Sequence, residues 1–114
     1  MTSPITTHVL DTARGAPASG VAITLDHESA PGVWTRVGQG ATDADGRLRT
    51  LLAPDALRVG GYRITFDAGA YFHGLGVDAF WRRVVVEFVV ANGAGHFHVP
   101  LLVSPFGYST YRGS

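Results

Sequence analysis

The chain has no cysteine and little charge of either sign. The missing cysteine excludes disulfide bonds and thiolate chemistry among its 114 residues. Only 16% of the residues are charged, and nine basic side chains balance nine acidic ones. A chain without net charge has no electrostatic attraction for nucleic acid or for an anionic membrane surface. We therefore expect neither as a partner.

Long apolar runs and targeting segments are missing too. No apolar run reaches the roughly 20 residues that span a bilayer. Met1–Pro4 show no basic or apolar region of a signal peptide. With the absence of cysteine, this predicts a cytoplasmic protein. The length fits one domain over residues 1–114, and the high apolar content favours an oligomer that hides part of its surface.

Short runs of strand-forming residues alternate with turn clusters along the chain, which predicts an all-β sandwich. A short helix is predicted over Ala68–Gly74, with Asp67 as its N-cap. A tight turn is predicted over Thr42–Arg47, where Gly46 can adopt a positive φ. The predicted strands are Ile5–Leu10, Val21–His27, Val33–Gly40, Leu48–Leu52, Gly61–Asp67, Val84–Val90, Phe97–Val103 and Phe106–Arg112.

The segment from residue 96 to residue 114 places polar, titratable side chains within an apolar strand pattern. Alternation along a strand predicts a core face and an opposite face. The predicted core face carries Phe97, Val99, Leu101 and Val103. The opposite face carries His96, His98, Pro100 and Leu102. A face that mixes titratable and apolar groups is typical of the wall of a binding site rather than of a solvated surface.

Histidines are the candidate catalytic groups, because their ordinary pKa lies near neutrality. His98 is the candidate general base. His8 lies on the face of the first strand that points away from the core, and by itself that segment favours an exposed strand histidine. His8, His96 and His98 could also bind a metal. Short His-x-His pairs are common by chance and no nearby carboxylate completes a set, so we favour a metal-free site and leave the role of His96 open.

Arg47 follows the turn glycine, and such an arginine is most simply a solvated side chain. Its guanidinium would also suit the carbonyl groups of a planar, oxygen-rich ligand. Gly113 near the end of the sequence suggests tight packing. Nucleophile elbows, phosphate-binding glycine loops and dinucleotide fingerprints are absent. The residues alone therefore predict an all-β domain with a polar site around His98 and the C-terminal strand.

From about Ile5 to Ser114 the chain resembles the 5-hydroxyisourate hydrolases, the transthyretin-related enzymes of purine breakdown. The segments that carry the resemblance are His8–Gly15, Asp45–Arg47, His96–Leu102 and Tyr111–Ser114. The resemblance implies a prealbumin-like sandwich of two four-stranded sheets with one short helix. It also implies a homotetramer around a central channel, with active sites at the interface between dimers.

The resemblance also implies which residues act. Catalytic roles fall on His8, Arg47, His98, Tyr111 and Ser114. Substrate-binding roles fall on His8, Arg47, Ser109, Tyr111, Arg112 and Gly113. Transthyretin has lysine, glutamate and two threonines at the positions of His8, Arg47, His98 and Tyr111. The histidines and the arginine of this chain therefore favour hydrolysis over carriage of a ligand.

The implied reaction is hydrolytic opening of the six-membered ring of 5-hydroxyisourate, without cofactor or metal. The product would be 2-oxo-4-hydroxy-4-carboxy-5-ureidoimidazoline. The main alternative is a non-catalytic carrier of a small aromatic ligand in the same channel. Two others are an interaction module without a small-molecule site and a metal-dependent hydrolase. We rank all three below the cofactor-free hydrolase.

Overall fold

The computed structural model describes residues 2–114, and in this part of the chain it contains nine strands and one helix. The helix α1 spans Ala68–Gly74. No helix within residues 2–114 has the length and apolar character needed to cross a membrane. The strands are β1 (Ile5–Asp11), β2 (Ala16–Pro17), β3 (Ala22–Ala30), β4 (Val33–Ala41), β5 (Arg47–Leu48), β6 (Gly60–Phe66), β7 (Val84–Val90), β8 (Phe97–Ser104) and β9 (Gly107–Thr110).

The strands form two sheets that pack face to face. One sheet has the order β2-β1-β8-β9, and β5 pairs with β1 along the same edge as β2. The other sheet has the order β4-β3-β6-β7. Strands β1 and β8 are parallel, whereas the remaining described pairs are antiparallel. The predicted sandwich of two four-stranded sheets with one short helix is confirmed, with one outer strand position divided between β2 and β5.

Alternating burial in β1 and β8 separates the core from the outer face of their sheet. In β1, Ile5 and Val9 are fully buried, whereas Thr6 and His8 are partly exposed. The four side chains predicted for the core face of β8 are all buried, namely Phe97, Val99, Leu101 and Val103. Since alternate residues point to opposite sides, His8 and His98 lie on the outer face, whereas the polar residues Thr7 and Asp11 are buried. The predicted alternation of both segments is confirmed, except that Pro100, expected on the outer face of β8, is also buried.

The predicted strand Leu48–Leu52 is wrong, because pairing ends at Leu48. Leu51 and Leu52 are neighbours in sequence, yet both are buried. A strand cannot bury two adjacent side chains on one face. The chain bends there instead, and the amide N–H of Leu52 donates to the hydroxyl of Ser3 at 2.9 Å.

The observed strand β9 spans Gly107–Thr110 and is shorter at both ends than the predicted strand Phe106–Arg112. Phe106 is exposed in the turn before the strand. At the other end, the next residue to pair would face Pro100, which has no N–H to donate. The Thr110 hydroxyl bonds the Pro100 carbonyl oxygen at 2.7 Å. Pairing returns in a single bridge between His98 and Gly113.

The predicted helix Ala68–Gly74 is confirmed, together with its cap. The Asp67 carboxylate accepts a hydrogen bond from the amide N–H of Ala70. Tyr71 on the helix donates its hydroxyl proton to the buried carboxylate of Asp11 at 2.8 Å. This bond fastens the helix to the end of β1, the strand that carries His8.

Candidate active site

Strand register brings the predicted polar residues to one face of the first sheet. The pairing of β1 with β5 places His8 opposite Arg47. The pairing of β1 with β8 places Thr6 opposite His98. Strand β9 brings Ser109 to the same face on the far side of β8. Residues opposite each other in a sheet point to the same side, so this outer face forms one polar surface.

A cavity of about 330 Å³ opens on this surface. Its volume is at the lower end of the roughly 300–1,000 Å³ typical of small-molecule sites. Three of the predicted site residues contribute to its wall: Arg47, His98 and Ser114. The full lining consists of Thr2, Thr6, Thr7, Arg47, Arg49, His96, His98 and Ser114.

The imidazole of His98 is half-buried in this cavity wall. Its Nδ1 lies 2.8 Å from the hydroxyl oxygen of Thr6. Burial lowers the pKa of His98 below its ordinary value, and the charges of Arg47, His96 and His8 lower it further, whereas a hydrogen bond with the backbone of Thr6 opposes the shift. His98 is therefore neutral at neutral pH, the state in which imidazole can accept a proton.

His8 has a defined tautomer in this structure. Its Nε2 lies 2.8 Å from the carbonyl oxygen of Asp45. A carbonyl oxygen can only accept, so Nε2 carries the proton and donates it. The other nitrogen, Nδ1, has no hydrogen-bond partner within residues 2–114 and can accept a proton. His8 lies beside the cavity that contains His98, not in its lining.

Arg47 is held by the turn that precedes it. The Asp43 carboxylate accepts hydrogen bonds from the amide N–H groups of Asp45 and Arg47, both at 2.9 Å. Gly46 adopts a φ of 77°, as predicted, and a Cβ there would lie 2.4 Å from a backbone oxygen. Arg49 pairs with Asp43 at 3.2 Å, whereas Arg47 forms no ion pair in the described part of the chain. The Arg47 guanidinium is thus available for a ligand oxygen.

The C-terminal residues divide between two places. Gly113 packs beside His98, and its N–H donates to the His98 carbonyl at 2.8 Å. Tyr111 and Arg112 instead line a second cavity of about 240 Å³ between β7 and β8, and the Arg112 guanidinium lies 4.8 Å from the centre of the Phe97 ring. Neither Tyr111 nor the exposed Ser109 lines the polar cavity in the single chain.

Sequence reasoning missed Thr6 and Arg49. Thr6 Oγ1 lies within hydrogen-bond distance of both His98 and His96, the latter at 3.0 Å. Alternation alone places Thr6 on the same face as His8, which was a usable signal. Its position opposite His98 depends on the register between β1 and β8, and the sequence does not show which residues of two distant strands are paired.

The structure also bears on the metal alternative. Across residues 2–114, no group of three or more histidines and carboxylates is arranged to hold a metal ion. His96 and His98 instead each direct a ring nitrogen to Thr6, and His8 directs Nε2 to a carbonyl oxygen.

A transthyretin-like sandwich with two histidines and an arginine on the outer face of one sheet defines the class of this protein. The chain belongs to the HIUase/Transthyretin family, whose model matches residues 5–113. The resemblance noted in the sequence is thereby confirmed.

Both branches of the family contain similar proteins. A 5-hydroxyisourate hydrolase of Caulobacter vibrioides is 48% identical over 117 residues, which cover 98% of this chain and 99% of that protein. The structure of a Klebsiella pneumoniae 5-hydroxyisourate hydrolase matches with a TM-score of 0.84 at 35% identity, over 100% of both chains. Transthyretin from Sparus aurata matches with a TM-score of 0.91 at 35% identity, over 97% of each chain. The shape of the fold therefore does not distinguish a hydrolase from a carrier. The distinction must come from the side chains at the site.

Proposed function

We propose that this chain hydrolyses 5-hydroxyisourate to 2-oxo-4-hydroxy-4-carboxy-5-ureidoimidazoline in urate degradation, without a cofactor. The observation that carries the proposal is the cavity in which a neutral, half-buried His98 faces the same space as Arg47, a cation that forms no ion pair within residues 2–114. A base beside a cation suits the hydrolysis of a ring carbonyl. The similarity to hydrolases along nearly the whole chain supports the same reaction.

His98 acts as the general base in this proposal. Its Nδ1 is engaged by Thr6, which leaves Nε2 for a water molecule. The water loses a proton to Nε2 while its oxygen attacks a carbonyl carbon of the substrate ring. The ring C–N bond then breaks, and the leaving nitrogen takes up the proton from Nε2 of His98, which restores the neutral base. A well-placed base contributes about 10²–10⁴-fold to such a rate.

Arg47 binds the ring oxygens and stabilises the negative charge that forms on the attacked carbonyl. Its guanidinium offers several N–H donors in one plane, which suits a planar substrate with several oxygens. The rigid turn before it limits the movement of its backbone. Because the donor is placed before the reaction begins, little reorganisation is needed as charge develops.

His8 is the second of the two histidines that we propose as general bases. With its proton held on Nε2 by Asp45, only Nδ1 can accept a proton or a hydrogen bond from water. The charge of His8 also lowers the pKa of His98, so the two side chains act on each other electrostatically. We assign the proton transfer to the pair, with His98 as the member that lines the cavity.

The remaining predicted residues orient the substrate. Ser114 supplies a hydroxyl in the cavity wall, and Gly113 supports the His98 ring. We propose that Ser109, Tyr111 and Arg112 contribute from the outer face and its edge in the assembled protein.

The assembly we propose is a homotetramer whose active sites form at the interface between dimers. The second sheet ends in β7 and the first in β9, so both have free backbone groups along one edge. Val89 on β7 is 72% exposed and Tyr108 on β9 is 44% exposed. A second copy over the outer face would close the open cavity. The cytoplasmic location stays a prediction.

The test is the decay of freshly prepared 5-hydroxyisourate, followed by absorbance, with the purified protein and without it. We expect acceleration by the wild type that survives a chelator, and its loss in His98→Ala. His73→Ala, in an exposed part of α1, is the matched control and should behave as wild type. A folded wild-type protein that leaves the decay unchanged would contradict the proposal.

The carrier remains the second candidate, because Sparus aurata transthyretin matches at the same 35% identity as the hydrolase structure and with a higher TM-score, 0.91 against 0.84. It predicts saturable binding of a small aromatic ligand without acceleration of decay. The same preparation distinguishes the two functions if turnover and ligand binding are measured side by side.

A further inference from the structure

The hydroxyl of Thr6 lies between two imidazole rings. Its oxygen is 2.8 Å from Nδ1 of His98 and 3.0 Å from Nε2 of His96. The two rings are nearly parallel, with an angle of 14° and centres 6.3 Å apart. Thr6 is held in β1 and His98 in β8, so this pair is built on paired strands, whereas His96 lies one residue before β8.

A hydroxyl has one proton, and this restricts the protonation of both rings. If Thr6 donates to His98, Nδ1 of His98 is an acceptor and its proton resides on Nε2. If Thr6 donates to His96, Nδ1 of His98 must carry a proton to bond the Thr6 oxygen. In that case Nε2 of neutral His98 has a free lone pair. The direction in which Thr6 donates therefore decides whether His98 can act as a base at Nε2.

We propose that Thr6 and His96 are positioning residues that hold His98 in the tautomer with Nδ1 protonated and Nε2 free. His98 donates to Thr6, and Thr6 donates to Nε2 of His96. The inference rests on the proposed function, in which Nε2 of His98 takes the proton of water. It assigns a role to His96, whose function the sequence left open.

The charges around His98 favour this direction. Arg47 lowers the pKa of His98, which means that its positive charge acts on this ring. Arg47 and Arg49 line the same cavity and can only donate hydrogen bonds. A lone pair on the nitrogen farther from Thr6 is compatible with these donors, whereas an N–H would meet like partial charges. His96 is exposed, so water can satisfy its remaining nitrogen.

The arrangement also supports the charged state that follows proton transfer. When Nε2 takes a proton from water, His98 becomes an imidazolium with N–H groups on both nitrogens. The Nδ1–H bond to the Thr6 oxygen is already in place, so no group must turn during the step. In the opposite tautomer, the Thr6 hydroxyl donates to Nδ1 of His98. It would have to turn away before Nδ1 could take a proton and donate to the Thr6 oxygen.

The test reads the tautomer directly, by long-range ¹H–¹⁵N NMR of the imidazoles in the wild-type protein labelled with ¹⁵N-histidine, at a neutral pH where His98 is uncharged. We expect the proton of His98 on Nδ1. In His96→Ala it should move to Nε2, and kcat should fall about 10-fold or more with little change in KM. His96→Gln, whose side-chain carbonyl can accept from Thr6, should restore both readouts.

Thr6 provides the second pair of variants. Thr6→Ser keeps the hydroxyl and should keep the tautomer and kcat, whereas Thr6→Val should lose both. Thr65→Val on β6, outside the cavity, is the matched control for a lost threonine hydroxyl. Rescue by Thr6→Ser and His96→Gln would show that the hydrogen bonds matter. Thr6→Val keeps the volume of the side chain and loses only the hydroxyl, so a change in packing would not explain its failure.

Two results overturn the inference. One is a wild-type His98 with its proton on Nε2, and the other is a His96→Ala protein with unchanged tautomer and kcat. The NMR readout needs no substrate, so it is independent of hydrolysis. A wild type that fails to accelerate 5-hydroxyisourate decay would instead refute the proposed function, and with it the catalytic meaning of the tautomer.

Discussion

Gly113 lies directly against the imidazole ring of His98. A Cβ built on Gly113 would be 2.6 Å from Cδ2 and 3.3 Å from Cγ of that ring. The Gly113 N–H also donates to the His98 carbonyl oxygen at 2.8 Å. Ordinary contacts between carbon atoms are about 3.5–4.0 Å, so any side chain at this position must push the ring aside. The orientation of the proposed base thus depends on glycine here.

We predict that Gly113→Ala lowers kcat/KM about 10- to 100-fold, because a displacement of about 1 Å in a catalytic group can cost that much. The free energy of unfolding should change little, since the residue lies outside the buried core. The measurement is steady-state hydrolysis of 5-hydroxyisourate together with thermal unfolding. Gly93→Ala is the matched control, because a Cβ there has no atom within 4 Å. Equal activities of the two variants would show that the ring tolerates the added carbon.

Arg47 should be essential for its geometry as well as for its charge. Removing one preorganised donor to a developing oxyanion costs about 10²–10³-fold in kcat, and we expect that loss in Arg47→Ala. Arg47→Lys keeps the charge but loses the planar set of donors, so it should remain far below the wild type. Arg82→Ala, at an exposed site away from the cavity, should be unaffected. Full activity in Arg47→Lys would reduce the role of Arg47 to simple attraction.

The pKa of His98 should lie below its ordinary value, and NMR titration of the folded protein measures this directly. The main cause is burial, with Arg47 as a further contribution. Removing that positive charge makes protonation easier, so Arg47→Gln should raise the pKa of His98. The acid limb of kcat/KM for the wild type should follow the same lowered pKa. An Arg47→Gln titration identical to wild type would rule out this coupling.

The lowered pKa of His98 also determines the direction in which the free energy of unfolding changes with pH. Between the lowered pKa of folded His98 and the ordinary value of 6.5, the unfolded chain binds more protons than the folded one. The contribution of neutral His98 to stability is therefore fully present above about pH 6.5 and is lost as the pH falls through the folded pKa. His98→Gln, which cannot titrate, should show a weaker loss of stability over this interval. Denaturant unfolding at several pH values measures the difference.

Local patterns predicted much of this fold. Alternation identified both faces of β1 and β8, and the side chain of Asp67 marked the start of α1. Leu51 and Leu52 misled the prediction because apolar residues can be buried by a bend as well as by a strand. Periodicity reports how far a side chain is buried, and it does not report which element buries it.

The site was less accessible to sequence reasoning, because it depends on register. His8 and His98 could be named from their faces and from the resemblance, but the bond that joins Thr6 to His98 spans 92 positions of sequence. The same holds for Tyr111, which follows the end of β9. Its strand pairing stops where Pro100 has no N–H to offer, and the side chain therefore lines the neighbouring cavity in the single chain.

The edge formed by β7 and β9 supplies the last prediction. The cavity between β7 and the residues after β9 shows that these two free edges lie on one side of the sandwich, where a second copy can cover both. Val89→Arg places a charge in that edge, and burial of an unpaired charge is costly, so we expect a lower mass in light scattering after gel filtration. Val33→Arg on β4, the opposite edge of the same sheet and 53% exposed, is the matched control and should keep the wild-type mass.

Hydrolysis should fall in Val89→Arg along with the mass, although the variant leaves Arg47 and His98 untouched, because the proposed sites require the assembled face. Full activity in a dissociated Val89→Arg protein would show that the cavity of a single chain is sufficient.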